Sequence, residues 1–404
     1  MLSHSFRRTR PRKPAWLAAG VLAILFVAAT VLAQDPAEPP GGPPHPILLP
    51  RPAGAITLSD VSQSALTKTI EGLVSCGTRH SLSSWTNPKR GIGCGRDHIV
   101  AEFKKIAQES GGRLKVVVDH FEAEARTTGN KRVPLENVYA ILPGSDPALA
   151  KTVFVVSGHF DSRATNIMDS TSDAPGADDD GSGTAVSIEC ARLLAGGHYR
   201  ATLLFATVSG EEQGLLGGTR LLHYLEQQGY TVGGMLDNDI VGADFAPGAP
   251  HRVRLFSGGG KVDDCDSPSR ELARRVDEID GRKNIRLIFR IDRLGRGGDH
   301  MPFVAADLPA VRFTEPLENY HHEHQTPRVV DGVQYGDLMK YLNFDFMARV
   351  ARDNAEVLRE LAMAPAPPGD VELSGEVTPS AKVSWSAPDD PQRAGFELLW
   401  RETT

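Results

Sequence analysis

Apolar segments of the buried-strand type are the feature that most constrains the fold of this chain. Three of them occupy residues 137–142, 152–157 and 202–208, and a helical pattern over residues 183–194 separates the second from the third. Strands rich in Val, Leu and Ala that alternate with helices are typical of a mostly parallel sheet covered on both faces. The pattern therefore predicts an α/β fold.

Composition shows where this domain begins and ends. Residues 34–54 are rich in Pro and Gly and lack periodicity, which indicates an extended linker. The globular pattern then covers residues 55–361. It includes an amphipathic helix predicted over residues 99–110 and a β-branched strand predicted over residues 114–120.

A tail over residues 362–404 opens with a Pro-rich stretch, MAPAPPGD. Short strands are predicted at 371–373, 381–385 and 396–400, with Trp385 on the second of them. This pattern resembles the opening of a fibronectin type III module. Because roughly half a sandwich cannot bury its own core, either the sequence is a fragment or the tail packs on the main domain.

The N-terminus carries the pattern of an export signal. Basic residues at positions 7–13 precede an unbroken apolar run over residues 15–33. This order is typical of a secretory signal peptide, with a candidate cleavage site before Gln34. The run is also near the length that spans a bilayer, so residues 1–33 are either a signal peptide or a membrane anchor. We expect an exported protein, periplasmic or secreted in the first case and membrane-anchored in the second.

Charge and cysteine content narrow the classes of function. The formal net charge is -7, whereas nucleic-acid-binding proteins normally present a basic face, so we expect no nucleic-acid partner. Cys76 and Cys94 flank a Gly/Ser/Pro-rich stretch and are either disulfide-bonded or free thiols. Cys190 is predicted to belong to the core and Cys265 to the surface. The sequence does not indicate an oligomeric state.

Polar clusters follow the predicted strands. In chain order they are GHFD at 158–161, GADDDGSG at 176–183, SGEE at 209–212, DNDIVG at 237–242 and NYHHEHQ at 319–325. Ligands of parallel α/β sheets bind beyond the carboxyl ends of the strands, so we expect these clusters to meet at one edge. Imidazoles and carboxylates are ligands that zinc prefers. So many carboxylates together would also repel one another unless cations were present.

These motifs resemble the co-catalytic zinc exopeptidases, which include bacterial leucyl aminopeptidases and glutamate carboxypeptidase-like enzymes. GHFDS, GADDDGSG, SGEEQGLLGG and DNDIVG stand in the family's order and at its spacing, and the resemblance covers about residues 60–360. It implies a zinc exopeptidase fold, with a single mixed, mainly parallel β-sheet flanked by helices. It also implies two Zn²⁺ ions as cofactors and a peptide as substrate.

The resemblance further implies which residues bind the metals. They would be His159, Asp179, Glu212, Asp239 and His322. Asp179 would bridge both ions. His159 and Asp239 would complete one site, and Glu212 and His322 would complete the other.

The resemblance assigns other roles near the metals. Glu211 would act as general base, taking a proton from metal-activated water and passing it to the leaving amine. Asp161 would orient His159 through its ring N–H. Asp299 and His300 would have a structural or supporting role and would not bind metal.

The last motif departs from the family pattern. The family usually carries a His followed four residues later by Asp, but Thr326 stands in that position after His322. His322 is preferred because it lies three residues before Gln325, as the family's ligand does before its Gln. In an extended segment His322 and His324 would share a face, which makes His321 the least suitable ligand.

The predicted function is therefore a di-zinc aminopeptidase that hydrolyses N-terminal residues from peptides. Asp239 and the Glu211/Glu212 pair are placed to meet a free ammonium group. Alternatives are a carboxypeptidase-type enzyme, a one-zinc glutaminyl cyclase on a similar scaffold, or a non-catalytic binding protein on a peptidase fold. The side-chain preference depends on loops at 214–235 and 244–300, which the sequence does not specify.

Overall fold

The computed structural model describes residues 54–245, 248, 250–259, 267–375 and 380–398. All of them belong to the second of two units into which the chain divides, Pro46–Thr404. The predictions for the signal or anchor, for nearly all of the Pro-rich linker and for Cys265 lie outside the described residues. Within the described part, no helix combines the length and apolar character needed to cross a membrane.

An eight-stranded sheet forms the centre of the main domain. In spatial order its strands are β1 (Lys115–Ala123), β2 (Val133–Leu142), β4 (Thr202–Val208), β3 (Thr152–His159), β5 (Thr231–Asn238), β8 (Ala310–Thr314), β6 (Val253–Phe256) and β7 (Ile285–Ile288). Strands β4, β3, β5 and β8 run parallel in the middle, and β6 and β7 are parallel to each other. Antiparallel pairings join β1 to β2, β2 to β4 and β6 to β8. The predicted mixed, mainly parallel sheet is confirmed.

Helices cover both faces of this sheet. One face carries α1 (Gln63–Val74), α2 (Ile92–Glu109), α3 (Gly181–Leu194), α5 (Pro268–Asp280) and α7 (Phe344–Met363), and the other carries α4 (Leu216–Gln227) and α6 (Met301–Ala305). Short 3₁₀ helices occur at Leu58–Asp60, Arg126–Thr128 and Met339–Tyr341. A two-stranded ribbon, β9 (Arg328–Val330) with β10 (Val333–Tyr335), lies outside the main sheet.

Alternation along the strands explains why the sheet is buried on both faces. In β4, Leu203 and Phe205 contribute to the core under α3 and α7, whereas Leu204 and Ala206 contribute to the core under α4. Successive side chains of a strand point to opposite faces, so an unbroken apolar run fills two cores at once. This is the physical basis on which the continuous apolar segments predicted central strands.

The second helix begins earlier than its apolar periodicity predicts, at Ile92 and not at residue 99. Two glycines in its first turns weaken the helical signal. Tertiary contacts hold this end instead: Cys94 forms a disulfide with Cys76, with 5.8 Å between their Cα atoms. A Cβ on Gly93 would lie only 2.1 Å from the carbonyl oxygen of Trp85, so glycine permits the close approach. Cys190 is buried in the core, as predicted.

The C-terminal tail contains a β-hairpin of β11 (Gly369–Ser374) and β12 (Lys382–Ser386), which cover the first two predicted strands. Residues 396–398 of the third prediction form no strand, and residues 399–400 lie outside the described residues. The tail contacts the main domain through buried Asp390, which accepts a hydrogen bond from Arg200 (2.8 Å). Within the tail, Asp390 also accepts the backbone N–H of Ala366 (2.9 Å). The tail's similarity to a fibronectin type III module stays a prediction.

Candidate metal centre

The parallel strands bring the predicted clusters to one edge of the sheet. His159 is the last residue of β3, Glu211 and Glu212 follow β4, and Asp239 follows β5. Their carboxyl ends are aligned because β3 pairs in parallel with both β4 and β5. Asp179 joins them from the loop that leads into α3. The chemistry therefore lies where the topology of an α/β sheet predicts it.

One group of candidate ligands consists of His159, Asp179 and Asp239. The Nε2 atom of His159 lies 3.2 Å from Asp179 Oδ1 and 3.8 Å from Asp239 Oδ1. All three residues are buried, with 1%, 5% and 4% of their surfaces exposed. Imidazole and carboxylate atoms that converge at such distances can bind one cation.

A second group consists of Asp179, Glu212 and His324. The Nε2 atom of His324 lies 2.8 Å from Asp179 Oδ2 and 3.2 Å from Glu212 Oε1. Asp179 thus belongs to both groups and presents one oxygen to each. A carboxylate placed in this way can bridge two metal ions.

The hydrogen bonds of these ligand atoms indicate whether the site is suited to a metal ion. Asp179 Oδ2 and Glu212 Oε1 are buried, and neither accepts a hydrogen bond from any residue that the structure describes, although His324 Nε2 is close to both. Buried acceptors are ordinarily paired, so oxygens that face a ring nitrogen without hydrogen bonding indicate a place for a cation. The donor set of two imidazoles and three carboxylates fits zinc, which takes nitrogen and oxygen ligands of this kind.

Residues 137–342 match the model of peptidase family M28. A probable zinc metalloprotease of Leptosphaeria maculans is 39% identical over 369 residues, which cover 86% of this chain and 85% of that protein. Another, from Pyricularia oryzae, is 37% identical over 398 residues, covering 91% and 79%. The chain belongs to peptidase family M28. This membership, with relatives that are probable zinc metalloproteases, identifies the chain as a zinc-dependent metallopeptidase.

Solved structures show the same fold as this M28 peptidase. The LapA aminopeptidase of Legionella pneumophila aligns with a TM-score of 0.56 at 19% identity, covering 76% of this chain and 71% of that one. An aminopeptidase from Aneurinibacillus sp. strain AM-1 gives 0.55 at 14%, covering 77% and 98%. The glutaminyl cyclase of Porphyromonas gingivalis gives 0.54 at 17%, covering 74% and 98%.

The structure corrects the predicted last ligand of this M28 chain. His322 belongs to neither group of ligands. Its ring stacks on that of Tyr341, with 3.5 Å between the ring centroids. The prediction assumed an extended segment, but residues 320–324 form turns, and His324 adopts a φ of +52°. These turns, and not strand alternation, direct His324 to Asp179 and Glu212.

Asp161 supports both the first histidine and the loop after β4. His159 Nδ1 lies 3.1 Å from the backbone oxygen of Asp161 and 3.4 Å from its Oδ1, which leaves Nε2 facing the other ligands. The Asp161 carboxylate also accepts the backbone N–H groups of Glu211 and Glu212, both at 3.2 Å. The backbone oxygen of Asp161 thus shares the role of orienting His159, which the sequence analysis assigned to the Asp161 side chain.

Glu211 lies beside the first group and belongs to neither. Its Oε2 atom is 4.0 Å from His159 Nε2. Burial raises the pKa of its carboxyl well above the usual range. His159 opposes that rise, and Asp239 and Glu212 add to it. A pKa moved upward toward neutrality suits a general base, the role predicted for Glu211.

Arg312 on β8 is a site residue that the sequence reasoning missed. Its buried guanidinium donates to Asp292 Oδ2 (2.5 Å) and to the Gly297 carbonyl (2.7 Å), and it lies 2.7 Å from Asp239 Oδ2. Burial is the largest single influence and raises the pKa of Asp239, but Arg312 and His159 together lower that pKa below its usual value. The one signal was a basic residue inside a five-residue strand otherwise suited to the core.

Asp337 was also missed. Its carboxylate accepts the backbone N–H groups of Asp178 (2.8 Å) and Asp179 (2.7 Å), and so fixes the loop that carries the shared ligand. No sequence pattern around it pointed to this contact.

Asp299 and His300 lie outside both groups of ligands. Asp299 accepts the backbone N–H of Gly218 at 3.0 Å, and His300 donates its backbone N–H to Asp237 at 3.1 Å. These contacts join the segment before α6 to α4 and to β5. They match the supporting role predicted for the pair.

Proposed function

We propose that this chain is a two-zinc aminopeptidase that removes N-terminal residues from peptides. The observation that carries the proposal is the placement of Asp179, whose two oxygens face two different histidine–carboxylate groups. Shared carboxylates hold co-catalytic metal ions about 3.5–4 Å apart. His159 and Asp239 would complete one site, and Glu212 and His324 would complete the other.

The chain's own residues divide the chemistry between them. Zinc held by these residues would lower the pKa of a water to about 7 and would polarise the scissile carbonyl. Glu211 would take a proton from the attacking water and pass it to the leaving amine, since its carboxylate is close to the first group without being part of it. Asp161 holds both the histidine and the backbone of Glu211, which keeps the base and the ligand in fixed relation.

The direction of cleavage follows from charge. Glu211 is the one of the three nearby carboxylates that is not assigned as a ligand, so its charge is available to attract a substrate's free ammonium group, whereas bound zinc would offset the charges of Asp239 and Glu212. The LapA and Aneurinibacillus structures, which share the fold, are described as aminopeptidases. Both observations support cleavage from the N-terminus.

A glutaminyl cyclase is the second candidate, because the P. gingivalis enzyme and that of Fimbriiglobus ruber share the fold. We expect such an enzyme to work with one zinc ion. The two separate groups of ligands in this chain favour the peptidase.

One experiment distinguishes these functions. Zinc content is measured on the purified protein, and the same sample is given a free peptide, its N-acetylated form and a peptide with N-terminal Gln. We expect two zinc ions per chain and cleavage of the free peptide only. Equal rates on the acetylated peptide would contradict an aminopeptidase. One zinc with cyclisation of the N-terminal Gln would identify a glutaminyl cyclase.

We also propose that the protein is exported. The Cys76–Cys94 disulfide supports this, since disulfides persist mainly in oxidising compartments. Cell fractionation with N-terminal sequencing tests it. An intact N-terminus on a soluble cytoplasmic protein would contradict export, and an intact N-terminus in the membrane fraction would identify an anchor in place of a cleaved signal.

A further inference from the structure

A pocket of about 190 Å³ opens beside the second group of ligands. Asp179 forms part of its lining, so the pocket is continuous with the candidate metal centre. Ile240, Phe245 and Tyr341 give it apolar walls, and Asp178, Glu315 and Glu323 give it a negative charge.

Asp178 and Glu315 form the first part of the acidic lining. Their carboxylates accept backbone N–H groups, from Gly242 to Asp178 Oδ1 at 2.8 Å and from Ala243 to Glu315 Oε2 at 3.1 Å. Acid groups that line one pocket are stabilised when a cation binds beside them.

Glu323 supplies an independent indication of a ligand. It is 94% buried, and its Oε1 atom contacts Arg296. Its Oε2 atom is buried and accepts no hydrogen bond from the residues that the structure describes. A buried carboxylate oxygen without a donor is unfavourable, and a ligand carrying N–H groups would remove that penalty.

We propose that this pocket binds the side chain of the substrate's N-terminal residue and selects Lys or Arg. The inference rests on the proposed aminopeptidase function. Basic side chains combine an apolar stem with a cationic head. The stem would pack between Ile240 and Phe245, and the head would donate to Glu315 and Glu323. Because Asp179 lines the same pocket, a residue seated there has its scissile bond beside the metal centre.

Lysyl and norleucyl p-nitroanilides test the proposal, because norleucine is lysine with the terminal ammonium replaced by hydrogen. We expect kcat/KM to be about 10- to 100-fold higher for the lysyl substrate, the range of a hydrogen bond to a charged group. Equal or higher kcat/KM for the norleucyl substrate would overturn the inference and leave the aminopeptidase function intact. If the zinc-loaded enzyme hydrolysed neither, the proposed function would fail and this inference with it.

Variants of the pocket test whether its acidic residues cause the preference for the lysyl substrate. Glu315→Gln keeps an acceptor for the Ala243 N–H but removes the carboxylate that would accept from the cationic head of the substrate. We expect it to lower the lysyl/norleucyl ratio about tenfold, and Glu323→Gln to lower it as well. Glu226→Gln, an exposed acid on α4, is the matched control and should keep the ratio. Zinc content is measured in each variant, and an unchanged ratio in both pocket variants would overturn the proposal.

Discussion

The two groups of candidate ligands differ in how the fold holds them. In the first group, His159 and Asp239 stand at the ends of neighbouring strands, are buried, and are supported by Asp161 and Arg312. In the second, His324 lies in the loop between β8 and β9, and 27% of its side chain is exposed. Sheet hydrogen bonds position the first group, whereas side-chain contacts across a loop position the second.

Surface contacts hold the loop of His324. The backbone N–H of Thr326 donates to Thr165 Oγ1 at 3.0 Å, and Thr165 donates its own backbone N–H to Thr326 Oγ1 at 3.3 Å. Exposed contacts of this kind contribute less than buried ones because water competes for them. We therefore expect the second group to be the less rigid of the two.

The largest effect should come from the residue that both groups share. Asp179→Ala removes a ligand from each group, so we expect loss of both zinc ions and of detectable activity. Metal analysis and peptide hydrolysis on the same sample measure this. Asp173→Asn, an exposed acid in the same loop region, is the control and should keep both ions. Retention of one tightly bound zinc in Asp179→Ala would show that the groups do not share this ligand.

Glu211→Gln should lower kcat by roughly 10²–10⁴, the usual contribution of a general acid–base, with both zinc ions still bound. The reason is that Glu211 faces the first group without belonging to it. Steady-state kinetics with metal analysis measure the effect, and Glu212→Gln is the informative partner because it should weaken binding of one ion. Loss of zinc in Glu211→Gln alone would mean that the two roles are exchanged.

His324→Ala and His322→Ala form a matched pair that tests the last ligand of the second group. We expect His324→Ala to lose one zinc ion and most activity, since its Nε2 atom faces Asp179 and Glu212. His322→Ala should keep both ions, because its ring stacks on Tyr341. Zinc content and kcat distinguish the two variants, and the reverse pattern would show that His322 is the ligand.

The smallest effect should come from Arg312, which supports a ligand of the first group. Arg312→Lys keeps a positive charge but loses the guanidinium that reaches Asp239, Asp292 and Gly297 at once. We expect roughly 10–100-fold weaker zinc binding, the usual effect of removing a partner of a metal ligand. Competition with a chelator measures the affinity. Arg220→Lys breaks a similar ion pair with Asp119, away from both groups, and should leave zinc affinity unchanged.

Much of the fold was predictable from local pattern. Central strands such as β3 and β4 are continuous apolar runs, and both predictions begin at the observed residue. The start of α2 was less predictable. It begins at Ile92 because a disulfide and a close backbone contact hold its first turns. Neither contact leaves a mark on the apolar periodicity from which the helix was predicted.

The sequence by itself determined the residues that follow a strand. His159 and Glu212 could be located because a predicted strand's end fixes where the next side chain stands, and the motif DNDIVG located Asp239. The tertiary structure decided what depends on distant segments: His324 in place of His322, Arg312 beside Asp239, and Asp337 under the Asp178–Asp179 loop. The physical reason is that a loop's direction, and the partner of a buried charge, are set by packing between segments far apart in the chain, which local periodicity does not record.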